Sequence, residues 1–213
     1  MGTGRARHIN ELLRAAGMLC ACMLVAVGCG SETPADGAAA SGPPRHGGQI
    51  ILGMDQEPPC LNTMLVCGGM AAASLMTSPV WDSFIAINRD GKHYPLMATE
   101  IPTTENGGVA TVGGKMVVRM GIRDEAHWSD NAPVTCDDMV FTWQTIMSDK
   151  WQIGSRLGWD QIEAITCPTP KKIEIRFSKP YAPYLSVVGA APLPKHDIEG
   201  KDLSLIHISE PTR

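Results

Sequence analysis

Polar and apolar positions alternate most cleanly at Lys172-Ile-Glu-Ile-Arg-Phe177, which predicts a half-buried strand. Residues 115–123 and Trp81-Asp-Ser-Phe-Ile-Ala-Ile87 also read as strands. Asn88-Arg-Asp-Gly91 follows as a turn, because Asp-Gly tolerates left-handed backbone. Asn106-Gly-Gly108 and Gly113-Gly114 are further turn signals. Gly47-Gly-Gln-Ile-Ile-Leu-Gly-Met54 predicts a short buried strand, and Pro58-Pro59 prevents its continuation. Ala71-Ala-Ala-Ser-Leu-Met76 suits the first turns of a helix. A stronger helix signal begins at Thr135, a good N-cap, with Asp138 three residues on in the capping-box position. Asp137 and Asp138 favour the positive end of that helix's dipole. Met139, Val140, Trp143, Ile146 and Met147 recur at helical spacing and predict one apolar face. Lys179-Pro-Tyr-Ala-Pro-Tyr184 ends the last clean strand. The sum is a mixed α/β chain without a repeat or a heptad run.

The two ends differ from this middle. All eleven aromatic residues lie between Trp81 and Tyr184. Arg5, Arg7 and Arg14 open the chain, and residues 15–28 carry no charge. A run of that length is short for a membrane span and fits the core of an export signal. Cys29 follows at once, then a small, polar stretch to Pro44. This order resembles a bacterial lipoprotein signal, in which the cysteine is lipidated and becomes the first mature residue. Ala26 stands where Leu is commoner, Leu19-Cys-Ala-Cys22 is a competing site, and a plain secretory signal is the alternative. At the other end, residues 203–213 (Leu-Ser-Leu-Ile-His-Ile-Ser-Glu-Pro-Thr-Arg) resemble a translated sequencing adapter. The expected organisation is therefore a signal peptide at 1–28, a tether at 29–46, a folded segment at 47–202 and a non-native tail at 203–213.

Composition narrows the chemistry. A net charge of −4 with 44% hydrophobic residues argues against both a disordered chain and a nucleic-acid partner. Besides Cys29, the exported part holds Cys60, Cys67, Cys136 and Cys167. An exported chain can form disulfides, and an even number fits two bridges, Cys60–Cys67 and Cys136–Cys167, among the three pairings four cysteines allow. There is no Cys-x-x-Cys, and His93, His127 and His196 have no ligand spacing, so no metal or other cofactor is expected. No nucleophile elbow or P-loop occurs. Asp124, Glu125, His127 and Asp130 read as a solvated turn rather than acid–base machinery. The chain is not expected to be an enzyme.

The run from Val117 to Trp143 contains Trp128-Ser-Asp-Asn131 and then Pro133-Val-Thr-Cys-Asp-Asp138. It resembles the signature of the extracellular solute-binding proteins of family 5, the peptide-binding components of ABC transporters. Asn131 replaces the usual Gly, a mild change because Asn also accepts left-handed backbone. Cys136 replaces the usual Ala. Gly47-Gly-Gln-Ile-Ile-Leu-Gly, Gln56-Glu-Pro-Pro-Cys-Leu-Asn62 (with Thr63 where Pro is usual) and Asp90-Gly-Lys-His-Tyr-Pro-Leu-Met-Ala98 follow the family's order. So do Glu100-Ile-Pro-Thr-Thr-Glu-Asn-Gly-Gly108, Gly158-Trp-Asp-Gln-Ile-Glu163, Lys179-Pro-Tyr-Ala-Pro-Tyr184 and Leu193-Pro-Lys-His196.

The resemblance implies an incomplete first lobe of a two-lobed fold of the type II periplasmic-binding-protein kind, which closes over its ligand. It implies a monomer that carries extended peptides to ABC permease and ATPase subunits from a lipid anchor on the outer face of the membrane. Nickel complexes, oligosaccharides and opines are the alternative ligands, and an exported hydrolase is the alternative class. It further implies that Val66, Cys67, Gly68 and Gly69 meet the ligand backbone by strand addition, with glycine allowing close approach.

Overall fold

The computed structural model describes residues 47–49 and 51–203. The chain divides into two units, 1–51 and 52–213. Of the first, only 47–49 and Ile51 are described; they form no regular structure and are exposed.

The strand expected at 47–54 is therefore corrected. Ile51 and Leu52 are 84% and 72% exposed, and residues 51–54 form no strand. An apolar run becomes a strand only when a neighbour takes its backbone hydrogen bonds, and no described strand lies alongside this one.

The second unit holds two antiparallel sheets. In the smaller, β1 (Ile85–Ile87) pairs with β2 (His93–Pro95) across the Asn88–Gly91 turn. β1 is shorter than the pattern at 81–87 predicts. The N–H groups of Phe84 and Ile85 donate instead to the carbonyls of Ala190 and Gly189, at 3.4 and 3.1 Å. The larger sheet contains β3 (Val109–Val112), β4 (Lys115–Gly121), β5 (Ile162–Thr169) and β6 (Lys172–Phe177), in the order β3-β4-β6-β5. β4 stops two residues before the predicted end, because the Ile122 N–H leaves the ladder for the carbonyl of Lys171. Alternation is clean in β6, while β4 also buries Val117 on its outer face. Met116, Val118, Met120, Ile173, Ile175 and Phe177 face the core. Arg119, Glu174 and Arg176 share the outer face, where Arg119 bonds Glu174 at 2.8 Å.

Helices α1 (Ala71–Thr77), α2 (Cys136–Met147), α3 (Leu185–Val188) and α4 (Lys195–Ile198) complete the unit. α2 starts where its cap predicts, and the Thr135–Asp138 capping box forms. Its buried surface is wider than one stripe. Met139 and Ile146 join the core under the sheet, while Phe141 packs on a second cluster built from Cys60, Leu65, Leu193, Ile198 and Leu203. Met147, expected on the apolar face, is 37% exposed. Leu203, the first residue of the expected tail, is buried in that second cluster; residues 204–213 lie outside the described residues.

Cys60 is bonded to Cys67 and Cys136 to Cys167 in the structure, with S–S distances of 2.09 and 2.04 Å. Asn131 has φ 68°, and among the described residues no other non-glycine residue has positive φ. Its turn places Trp128 and Asp130 side by side on one loop.

Candidate functional site

The candidate ligand segment is built by the Cys60–Cys67 bridge. That bond closes a short loop, and the chain makes a single 3₁₀ turn at Val66–Gly68. The strand-addition edge implied by the resemblance is absent in this geometry. The Val66 N–H donates to the Gln152 carbonyl at 2.8 Å, the Gly68 N–H to Leu65 at 3.1 Å and the Gly69 N–H to Val66 at 3.2 Å. Three of the four N–H groups at 66–69 are thus already used within the chain. What the turn presents outward is the Val66 side chain, 58% exposed.

Gly68 has a structural reason to be glycine. A Cβ there would collide with the backbone carbonyl of Asn62, which the local loop cannot move cheaply. Gly68→Ala is expected to cost about 1–3 kcal/mol through overpacking. Gly69→Ala should cost less, since its Cβ would sit 3.3 Å from the Val66 carbonyl oxygen. Urea melts of the two variants check the order, and equal losses would refute it.

Sequence reasoning missed the segment behind this turn. Leu65 forms an antiparallel bridge with Ile153, and the Gly154 N–H donates to the Met64 carbonyl at 2.9 Å. Trp151 packs half-buried on the second cluster, with the Lys150 ammonium 4.4 Å over its ring. These residues follow a helix as an irregular loop, so no periodicity marks them. Their position becomes visible only when residues far apart in sequence pair.

A cavity of about 630 Å³ lies elsewhere in the unit, lined by Val80, Trp81, Leu96, Met97, Trp128 and His196 among others. His196 Nε2 meets Asp130 Oδ2 at 2.8 Å beside it, and the Trp128 and His196 rings are 6.2 Å apart. The Ala132 N–H first, and then the His196 imidazole, hold the Asp130 carboxyl below the ordinary aspartate value of 3.8. A depressed folded-state pKa gives a contribution that is fully present above 3.8 and lost as pH falls through the lowered value. Carbon-13 titration of the Asp130 carboxyl should therefore give a midpoint below 3.8, moved upward by His196→Ala. An unmoved midpoint would remove the imidazole as a cause.

The stretch from Asp124 to Asp130, read as a solvated turn, is placed at the surface. Asp124, Glu125, His127 and Asp130 are all exposed, and His127 Nδ1 meets only the Glu125 backbone oxygen, at 2.7 Å. Among the described residues no group of three or more His, Cys, Asp or Glu side chains is placed to hold a metal ion. No described helix is long and apolar enough to cross a membrane. Cys29 lies outside the described residues.

The antiparallel sheet, the capped α2 and the Trp128-Ser-Asp-Asn131 turn are those of a binding-protein lobe. The chain belongs to the bacterial extracellular solute-binding proteins, family 5; the model of that family's middle region matches residues 93–205. A curated relative, the probable monoacyl phosphatidylinositol tetramannoside-binding protein of Mycobacterium tuberculosis, is 26% identical over 149 residues, 65% of this chain and 22% of the relative. The oligopeptide-binding protein of Thermus thermophilus, solved with a pentapeptide, is 26% identical with a TM-score of 0.56 over 67% of this chain and 25% of that one. NikZ of Campylobacter jejuni, solved with Ni(L-His), shares the fold at 19% identity and a TM-score of 0.57, over 70% of this chain and 28% of that one. The fold is thus the mixed α/β fold of two-lobed periplasmic binding proteins. The chain spans about a quarter of the length of these relatives.

Proposed function

We propose that this chain belongs to the substrate-binding component of an ABC importer, which captures extended peptides outside the membrane and hands them to a permease. The match to family 5 over residues 93–205 carries the reading. The pentapeptide complex of the 26% identical Thermus protein favours peptide over the other ligands of the fold. Residues 1–28 would direct export, 29–46 would tether the domain, and Cys29 would carry the lipid. On this reading 203–213 is not native sequence, and the protein acts as a monomer without a cofactor. The ligand faces the 66–69 turn. Because that turn's own N–H groups are used, peptide either contacts the Val66 side chain or unwinds the turn to reach its backbone.

One preparation tests these points. The chain is expressed in a bacterial host, recovered from the membrane fraction, weighed by mass spectrometry and titrated calorimetrically with an alanine-rich pentapeptide. A mass beginning at a lipid-modified Cys29 and a saturable heat are expected, with Val66→Asp weakening binding about tenfold. A chain that still begins at Met1 would sink the export reading. Saturable heat with Ni(II)–histidine and none with peptide would replace the ligand class.

A further inference from the structure

The cavity beside the Trp128 loop has walls that nothing in the peptide reading uses. Its indoles are fixed. Trp81 Nε1 donates to the Pro192 carbonyl at 2.9 Å, and Trp128 Nε1 to Asp138 Oδ2 at 3.4 Å. Both ring donors are thereby taken, so the rings offer a ligand only apolar and π surface. Val80, Leu96, Met97 and Val134 extend that surface, and the volume lies within the range of small-molecule sites.

The charged groups in the lining set the sign of the ligand. Asp130 is paired with His196, and Asp197 with Lys201 at 2.7 Å. Arg123 directs its Nε and one Nη to the carbonyls of Ala98 and Pro95, at 2.9 and 3.3 Å, and forms no ion pair among the described residues. Asp82 and Glu125 also line the cavity, and their carboxylates have no hydrogen-bond or ion-pair partner among the described residues. With Asp130 and Asp197 already paired, the two carboxylates of Asp82 and Glu125 stand against the one guanidinium of Arg123. An anion would be repelled. A neutral apolar ligand would remove water from two unpaired carboxylates without replacing it. A cation on an apolar stem satisfies both features, because indole faces and carboxylates each attract it.

We propose that this cavity is a binding site, separate from the 66–69 turn, for an organic monocation: a primary ammonium or guanidinium group on an apolar stem. The stem lies against Trp81 and Trp128, and the cation meets Asp82 and Glu125. The site does not depend on which ligand the turn takes.

The test is a titration of the nitrogen-15-labelled chain with butylammonium and with butylguanidinium, followed at the indole N–H resonances. Those of Trp81 and Trp128 should move saturably, with a Kd of about 1 mM. Those of Trp143, Trp151 and Trp159 should stay in place. Butyrate and 1-butanol should produce no saturable shift. Asp82→Asn and Glu125→Gln, both at exposed positions, should each weaken binding about threefold while leaving the backbone spectrum of the fold unchanged. The proposal is overturned by the absence of a saturable shift, which would mean the cavity is filled by the protein itself. Equal response to 1-butanol, equal movement of all five indoles, or undiminished affinity in both variants would overturn it too.

Discussion

Replacing Cys136 and Cys167 together by alanine is expected to lower stability by about 3–4 kcal/mol, the loop-entropy effect of a link spanning 31 residues. The midpoint of thermal unfolding should fall by about 10 °C. The corresponding double replacement of Cys60 and Cys67, which span only 7 residues, should cost about 1 kcal/mol less. Position strengthens the contrast. Cys136 is the first residue of α2 and wholly buried, whereas Cys167 lies in β5, one of the two edge strands of the four-stranded sheet. β5 pairs with β6 through two register shifts, so its ladder is the least regular in that sheet. Without the bridge, β5 amides should exchange with solvent faster than those of β4, which is paired on both sides. Calorimetry and hydrogen exchange check both statements. A larger loss from the shorter bridge, or uniform exchange across the sheet, would show that the long link does not hold the edge.

The elements legible in the sequence are those whose stability is decided locally. β6 follows its alternating pattern because both of its sides are paired and one face is covered by the core, so side-chain period and burial agree. α2 begins at its cap because Thr135 and Asp138 form the capping box locally, although the Cys136 N–H also donates to the Pro170 carbonyl at 2.8 Å. Where partners are distant, the pattern misleads. Residues 47–54 have a strand's composition but no described strand beside them. β5 escapes the pattern for the opposite reason. Its sequence, with Pro168 and bulged pairings, lacks clean alternation, yet β6 gives it a ladder.

The candidate site divides the same way. The cysteines that close the 66–69 turn could be counted in the sequence, but the 3₁₀ conformation follows from contacts with Gln152 and Asn62, which no local pattern encodes. Gly68 reads equally well as a ligand approach or as a packing necessity, and the Asn62 carbonyl supplies the second. The acidity of the cavity is likewise assembled from three separate stretches of chain, around Asp82, the loop carrying Glu125 and Asp130, and Asp197.

The second large effect is expected at Asp138. This carboxylate is 3% exposed and joins three parts of the fold. Its Oδ2 accepts from the Thr135 N–H at 2.8 Å, the Thr135 hydroxyl at 3.3 Å and the Trp128 indole at 3.4 Å; its Oδ1 accepts from the Lys195 N–H at 2.9 Å. One side chain thus caps α2, starts α4 and fixes a wall of the cavity. Asp138→Ala leaves buried donors on all three unpaired and should cost about 3–5 kcal/mol. Asp138→Asn should recover little of this, because its amide group turns a donor toward other donors. Thr135→Ala, which removes only the hydroxyl, should cost about 1 kcal/mol. Denaturant melts rank the three variants. In the two Asp138 variants the Trp128 indole resonance should also move upfield as its acceptor is lost, while that of Trp81, bonded to Pro192, holds its place. A stable Asp138→Ala protein with an unshifted Trp128 resonance would mean that packing alone positions the loop.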